Sequence, residues 1–189
     1  MNHADKNSIL YPLQHGFRSK RSCETQLIEI INEVTTNMSA GKQTDVLVMD
    51  FSKAFDKVSH CLLVHKLDHY GIRGKTNTWI HNFLSERSQA VVVDGEKSSY
   101  IDVDSGVPQG SVLGPSLFLF YINDMLRCLK STVRLFADDT IAYLAVTSEA
   151  DAVDLHVQSN LNKLGIWEKK WKMEFHPDKC NVLTISKKN

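Results

Sequence analysis

The sequence has no paired cysteines, no long apolar run, no net charge and no internal repeat. Each absence excludes a class of protein. Cys23, Cys61, Cys128 and Cys180 stand 38, 67 and 52 residues apart, which supplies neither the close pairs of a zinc site nor a compact disulfide framework, so reduced thiols are expected. The longest apolar stretch, Leu117 to Ile122, falls far short of the roughly 18 residues of a membrane span, and Met1 to Asp5 carries no signal-peptide pattern. A soluble intracellular chain with no membrane partner is the expectation. With 189 residues, 42% of them apolar, and no linker or low-complexity segment, the chain can bury a core and reads as one continuous α+β body.

Zero net charge hides an uneven distribution. Residues 1–60 carry 7 basic and 7 acidic side chains, residues 61–159 carry 8 and 12, and residues 160–189 carry 7 and 3. An acidic middle and a basic tail permit a local phosphate or nucleic-acid surface on a protein that is not globally basic.

Apolar spacing predicts the elements. Ser22 caps a helix over 22–40 in which Leu27, Ile31, Val34 and Met38 recur at helical spacing. Asp45 to Phe51 is too short and too continuously apolar for a surface helix and reads as a buried strand, with Asp50 near its exit. Further helices are expected over 60–70, 76–84, 112–126 and 149–170, the last opened by Ser148 and Asp151 and buried through Val153, Val157, Leu161 and Leu164. Asp94-Gly95 should turn one hairpin, Ala137-Asp138-Asp139 a second, and Asn181 to Ile185 should close the chain as a strand. Gly106, Pro108, Gly110 and Gly114 force a shaped loop. The expected product is a small antiparallel sheet with helices packed mostly on one face.

Three carboxylates stand where acids are expensive. Asp50 ends an apolar strand, and Asp138 and Asp139 sit at a hairpin tip between apolar strands. Burying an unpaired charge costs several kcal/mol, and neither segment holds enough basic residues to pair each acid. A divalent cation, which takes hard oxygen ligands, supplies the missing charge. Singly, each piece is ordinary: an Asp pair at a turn, an Asp at a strand end, and a Gly/Pro loop without the spacing or Lys of a P-loop. Their order and separations, 59 residues from Asp50 to Gln109 and 29 from Gln109 to Asp138, make the set specific.

Together, Val48-Met49-Asp50-Phe51-Ser52-Lys53-Ala54-Phe55-Asp56, Ser105-Gly106-Val107-Pro108-Gln109-Gly110-Ser111 and Phe136-Ala137-Asp138-Asp139 resemble the reverse transcriptases of non-LTR retrotransposons, over about Leu10 to Ile185. The stretch from Gln14 to Arg18 resembles the fingers segment that precedes the palm in that family, and Trp171 to Lys179 a later palm segment. The resemblance implies a partial fingers segment over 1–44 and a palm over 45–189. It also implies an RNA-directed DNA polymerase that joins deoxynucleoside triphosphates to a DNA primer on an RNA template, with Mg²⁺, or Mn²⁺ in its place, as cofactor.

The roles carried by the resemblance fall on matching positions. Asp50, Asp138 and the Phe51 carbonyl would hold two metal ions, and Asp139 would support them. Phe55 would lie beneath the incoming sugar and disfavour a 2′-hydroxyl, although a core Phe accounts for it equally. Gln109 would contact the incoming nucleotide and template base, with Gly106 and Gly110 allowing close backbone approach. Arg18 and Lys179 would contact phosphate, Lys179 also giving a proton to leaving pyrophosphate.

Other features are weaker. His65 and His69 lie four apart but flank Lys66, and His176 with Cys180 has no second pair, so neither reads as a zinc site. Lys169, Lys170 and Lys172 interleave with Trp167 and Trp171, which fits either a nucleic-acid stacking surface or a solvated helix end with tryptophans facing the core. The family's further fingers segments and thumb have no counterpart in the chain, which leads to an expectation of low processive synthesis. Two other readings stay open: a non-catalytic remnant that folds and binds RNA or protein, and another palm-shaped nucleotidyl enzyme such as a cyclase. The family acts on both cytoplasmic RNA and nuclear DNA, so either compartment fits.

Overall fold

The computed structural model describes residues 2–129, 131–146 and 154–187. In chain order its elements begin with α1 (Asn2–Lys6), α2 (Cys23–Ser39), β1 (Gln43–Met49), α3 (His60–His69) and α4 (Gly74–Leu84). Four short strands follow, β2 (Ser88–Gln89), β3 (Val92–Val93), β4 (Glu96–Lys97) and β5 (Ile101–Asp102), then α5 (Leu113–Ile122). The chain continues through β6 (Thr132–Phe136), β7 (Asp139–Val146), α6 (Asp154–Trp171) and β8 (Asn181–Ile185), with 3₁₀ turns at Met125–Cys128 and Pro177–Lys179. They form two compact units, Met1–Ala54 with Ile122–Asn189, and Phe55–Tyr121. Among the described residues no helix is long and apolar enough to cross a membrane.

The first unit is built on an antiparallel sheet of order β6-β7-β1-β8. Strand β1 is interior, with Val46 opposite Tyr143 on one side and Leu183 on the other. Alternation puts Val46, Val48, Ile141 and Tyr143 on one face, where Ile30 and Val34 of α2 cover them. Leu47, Ala142 and Val182 take the opposite face and share a small cavity with Asn160 of α6. Helices α2 and α6 therefore lie on opposite faces, where the sequence reading put the helices mostly on one. The near-continuous apolar run of β1 is the physical reason, since a strand apolar on both sides needs both sides covered.

Helix α2 begins in a capping box, in which Ser22 Oγ accepts from the Thr25 amide and Thr25 Oγ1 from the Ser22 amide. Its buried face runs through Gln26, Ile30 and Val34, whereas Leu27 and Ile31 are 46% and 59% exposed. The expected stripe was one position out, because Val34 fits either register and only the sheet decides. Arg134 on β6 fixes the docking: buried at 5% exposure, it donates to Glu29, to Glu33 at 3.1 Å and to the Tyr143 hydroxyl at 2.7 Å. In α6, Leu164 is buried and Leu161 is 37% exposed. Ser148, Asp151 and Val153, and the side chain of Val157, lie outside the described residues.

In the second unit Asp94 and Gly95 turn β3 into β4 with φ of 51° and 86°, as their residue types predict. Pairing resumes at Gln89 with Ile101, one residue out of step with Val92 and Lys97, so the second arm carries a bulge. Lys66 of α3 is 3% exposed and donates to the Tyr121 carbonyl at the end of α5, a structural role.

Candidate functional site

The exit of β1 is locked before any functional side chain is placed. The Asp50 carbonyl accepts from the His176 amide at 2.8 Å, and the Ser52 amide donates to the Glu174 carbonyl at 2.7 Å. Phe51 is thereby bridged to Phe175, their rings stacked 4.4 Å apart, and is 3% exposed. In such a pair the backbone groups of the central residue point away from the partner strand, so the Phe51 carbonyl is turned away from Phe175. The chain then runs through the turn at Pro177–Lys179, which brings Lys179 Nζ to 2.6 Å from Asp50 Oδ2.

The acidic hairpin is set from a different quarter. Phe136 pairs with Asp139, so the turn is the two residues Ala137 and Asp138, and Asp139 already belongs to β7. The sequence reading gave the turn three residues, Ala137 to Asp139, and took an Asp pair as ordinary at a turn. The left-handed residue is Ala137, with φ of 56°, an unfavourable place for an alanine that costs roughly 1 kcal/mol. Gln14 compensates. Its Oε1 accepts from the Ala137 amide at 3.0 Å and the Gly16 amide at 2.8 Å, and its Nε2 donates to the Ala137 carbonyl at 3.2 Å. The His15 amide donates to the Leu135 carbonyl and the Leu135 amide to the Leu13 carbonyl, so Gln14 forms an isolated parallel bridge to Leu135 of β6. Gly16 makes this possible, since a Cβ there would lie 2.1 Å from the Ala137 nitrogen.

These two constructions bring Asp50, Asp138, Asp139 and Lys179 together. Burial pushes the Asp138 carboxyl above the ordinary range, and the Asp50 charge pushes it further. Asp139 is raised by burial, then by Asp138 and Asp50. Lys179 is raised by its hydrogen bond to Asp50 and by all three acids. Three carboxylates thus face one ammonium. Among the described residues no group of three His, Cys, Asp or Glu side chains is arranged around a single ion, so a metal here relies on two carboxylates and backbone or substrate oxygen. Neither His65 with His69 nor His176 with Cys180 gathers a third ligand.

Because ionising Asp138 costs folding free energy, Asp138→Asn should stabilise the protein at neutral pH. The carboxyl is raised in the folded state, so the penalty is absent below the unfolded value of about 4, grows as pH rises from there to the folded value, and is constant above it. For a half-buried, solvent-screened group the gain is about 0.5–1 kcal/mol, or about 1–4 °C in Tm at pH 7. Thermal melts of both proteins at pH 7 and below pH 4 check this; an equal difference at both would contradict it.

Phe55, Gln109 and Gly110 belong to the second unit. Phe55 is half-buried, with its ring stacked on Phe118 at 4.4 Å. Gln109 Nε2 donates to Asp56 Oδ1 at 3.0 Å. The loop from Ser105 is held by the Val107 amide on the Phe55 carbonyl, the Gly106 amide on the Val58 carbonyl, and Arg87 Nη2 and His60 Nε2, each 2.8 Å from the Gly106 carbonyl. Gly106, at φ of 85°, is required internally: a Cβ would meet the Asp56 backbone at 2.9 Å. Gly110, at φ of 77°, faces open space. Arg18, in the first unit, pairs with Asp5 at 3.3 Å, and its Nη1 is buried without a hydrogen-bond partner. Trp167 and Trp171 are buried, which favours the core alternative, and Trp167 Nε1 donates to Asp124. The sequence reading assigned no role to Gln14, Gly16, Asp56, His60 or Arg87; the glycine beside a Gln in a positioned loop was the one available signal.

The family described as reverse transcriptase (RNA-dependent DNA polymerase) matches residues 1–188. The chain is 30% identical over 190 residues to the RNA-directed DNA polymerase from mobile element jockey of Drosophila melanogaster, covering 96% of this chain and 20% of that protein. It is 28% identical over 186 residues to the probable RNA-directed DNA polymerase from transposon X-element of the same species, covering 93% and 20%. It therefore spans about a fifth of the length of these relatives. Among solved structures, telomerase from Candida albicans in complex with a fragment of telomeric RNA superposes with a TM-score of 0.67 at 12% identity, over 100% of this chain and 34% of that one, a likeness of fold.

Proposed function

We propose, from the premise that this chain belongs to the reverse transcriptase (RNA-dependent DNA polymerase) family, that it carries the palm chemistry of an RNA-directed DNA polymerase. Its partners in this reading are an RNA template, a DNA primer and deoxynucleoside triphosphates. The observation that supports it is the meeting of Asp50 with Asp138 and Asp139, acids 88 and 89 residues further along the chain whose carboxyls are raised by the Asp50 charge as well as by burial. The donor chemistry fits Mg²⁺, or Mn²⁺ as substitute: hard oxygens, more negative charge than Lys179 offsets, and the Phe51 carbonyl turned off its own bridge. When bound, the ions supply acidification of the primer 3′-hydroxyl and stabilisation of charge on the transferring phosphate.

The chain's own residues do the rest. Asp50 and Asp138 hold their oxygens on two rigid supports, the bridged exit of β1 and the Gln14-clamped turn, so little reorganisation is needed as charge develops. The primer 3′-hydroxyl would lose its proton to solvent as its oxygen bonds to the α-phosphorus, the bond to pyrophosphate would break, and the leaving oxygen would take a proton from the Lys179 ammonium. Asp139 adds negative charge behind the pair. Phe55 forms the floor of the sugar site, Gln109 and Gly110 meet nucleotide and template, and Arg18 meets phosphate. Residues 1–44 serve as a fingers segment and 45–189 as palm.

Primer extension on an RNA template tests this directly, run on the 189-residue chain and on one extended at both ends. Template- and metal-dependent product is expected, short from the former and longer from the latter. Asp50→Asn should lower the rate by about 10³-fold or more in both, as expected for loss of the transition-state charge clamp. Full metal-dependent synthesis by that variant would remove Asp50 from the mechanism.

A further inference from the structure

Lys179 occupies one of the two carboxylate oxygens of Asp50. Its Nζ lies 2.6 Å from Asp50 Oδ2, and Asp138 and Asp139 both feel its charge. The side chain is 59% exposed, so it is not enclosed by the fold. Its backbone, by contrast, is tethered on both flanks to β1: Phe175 bridges Phe51, and Asn181 pairs with Val48. Within the turn, the Lys179 amide donates to the His176 carbonyl and the Cys180 amide to the Pro177 carbonyl. A fixed stem with a free ammonium can leave the oxygen without leaving the site.

An ammonium and a divalent ion held by one carboxylate repel each other at a few ångströms, so each weakens the other's hold on the acid. We infer that Lys179 is a built-in counter-ion that holds Asp50 and the acidic turn in register, and that divalent metal enters this centre by exchange, expelling the ammonium from Asp50. This deepens the proposed function and rests on Asp50 being a metal ligand. It assigns Lys179 a positioning role that precedes any contact with phosphate. Metal affinity at the centre is accordingly set below what the carboxylates alone would give.

The test is a Mn²⁺ titration of the full chain followed by electron paramagnetic resonance, on wild type, Lys179→Met, Lys179→Arg, Asp50→Asn and Lys42→Met. Lys42 is an exposed lysine just before β1, at the strand end away from Asp50, and controls for simple removal of positive charge. Lys179→Met should bind Mn²⁺ up to about fivefold tighter, the upper worth of an exposed ion pair, while Lys179→Arg and Lys42→Met stay near wild type. Equal affinity in wild type and Lys179→Met, with binding lost in Asp50→Asn, would overturn the exchange and leave the metal site standing. Absence of binding in both wild type and Lys179→Met would instead overturn the metal reading of the carboxylates. Tightening matched by Lys42→Met would overturn the specific contact. Should Lys179→Met fail to fold, lysine side-chain NMR of the wild type decides: Mg²⁺ should shift the Lys179 Cε–Hε signal toward that of a free lysine, and an unmoved signal at saturating Mg²⁺ would contradict the exchange.

Discussion

Gly16→Ala is expected to destabilise the protein by about 3–5 kcal/mol, the sum of an overpacked backbone contact and the hydrogen bonds it breaks. The added Cβ would stand 2.1 Å from the Ala137 nitrogen, 2.8 Å from its Cα and 2.9 Å from the Phe136 carbonyl carbon. All three are backbone atoms, so no side chain can swing aside. The segment at residues 13–16 must separate from the hairpin, which takes Gln14 from both the amide and the carbonyl of Ala137 and leaves a left-handed alanine unsupported. In a chain of this size the melting temperature should fall by about 6–20 °C. Gly165→Ala is the matched control: it lies within α6 with open space about it, and alanine there should stabilise by about 0.5–1 kcal/mol. Urea denaturation of the three proteins checks both signs. An unchanged midpoint for Gly16→Ala would show that the clamp does not hold the turn.

What the sequence made legible is what short-range chemistry decides. The strand ending at Asp50 stood out because its apolar run is too short for a surface helix, and the Asp94-Gly95 turn because few other pairs accept its backbone angles. Ser22 announced the start of α2 through a bond spanning three residues. The acids drew notice through their cost in apolar surroundings. The remainder depends on partners far along the chain. Gln14 reaches Ala137 across 123 residues and Lys179 reaches Asp50 across 129, and no local pattern encodes either contact. For the same reason nothing local pointed to Ala137 as the left-handed residue of the turn, since an alanine takes that conformation only when another segment holds it there. The face covered by α6 was likewise undecidable from a strand apolar on both sides.

Divalent metal should stabilise the folded chain, and Asp50→Asn should abolish the effect. At 100 times the dissociation constant, Mn²⁺ or Mg²⁺ contributes about 2.7 kcal/mol, or about 5–11 °C in Tm. Asp50→Asn removes one of two carboxylate ligands and leaves a neutral amide beside Lys179, so its melt should not respond to metal, while its metal-free stability stays close to wild type because the exposed ion pair it loses contributes little. A metal-induced shift retained in the variant would place the ions elsewhere.

The most direct measurement is an anomalous difference map at the manganese edge from crystals grown with Mn²⁺. The account predicts density between the Asp50 and Asp138 carboxylates, on the side to which the Phe51 carbonyl turns, with Lys179 withdrawn from Asp50. Peaks confined to other surfaces, with those carboxylates still bonded to Lys179 or turned apart, would contradict it.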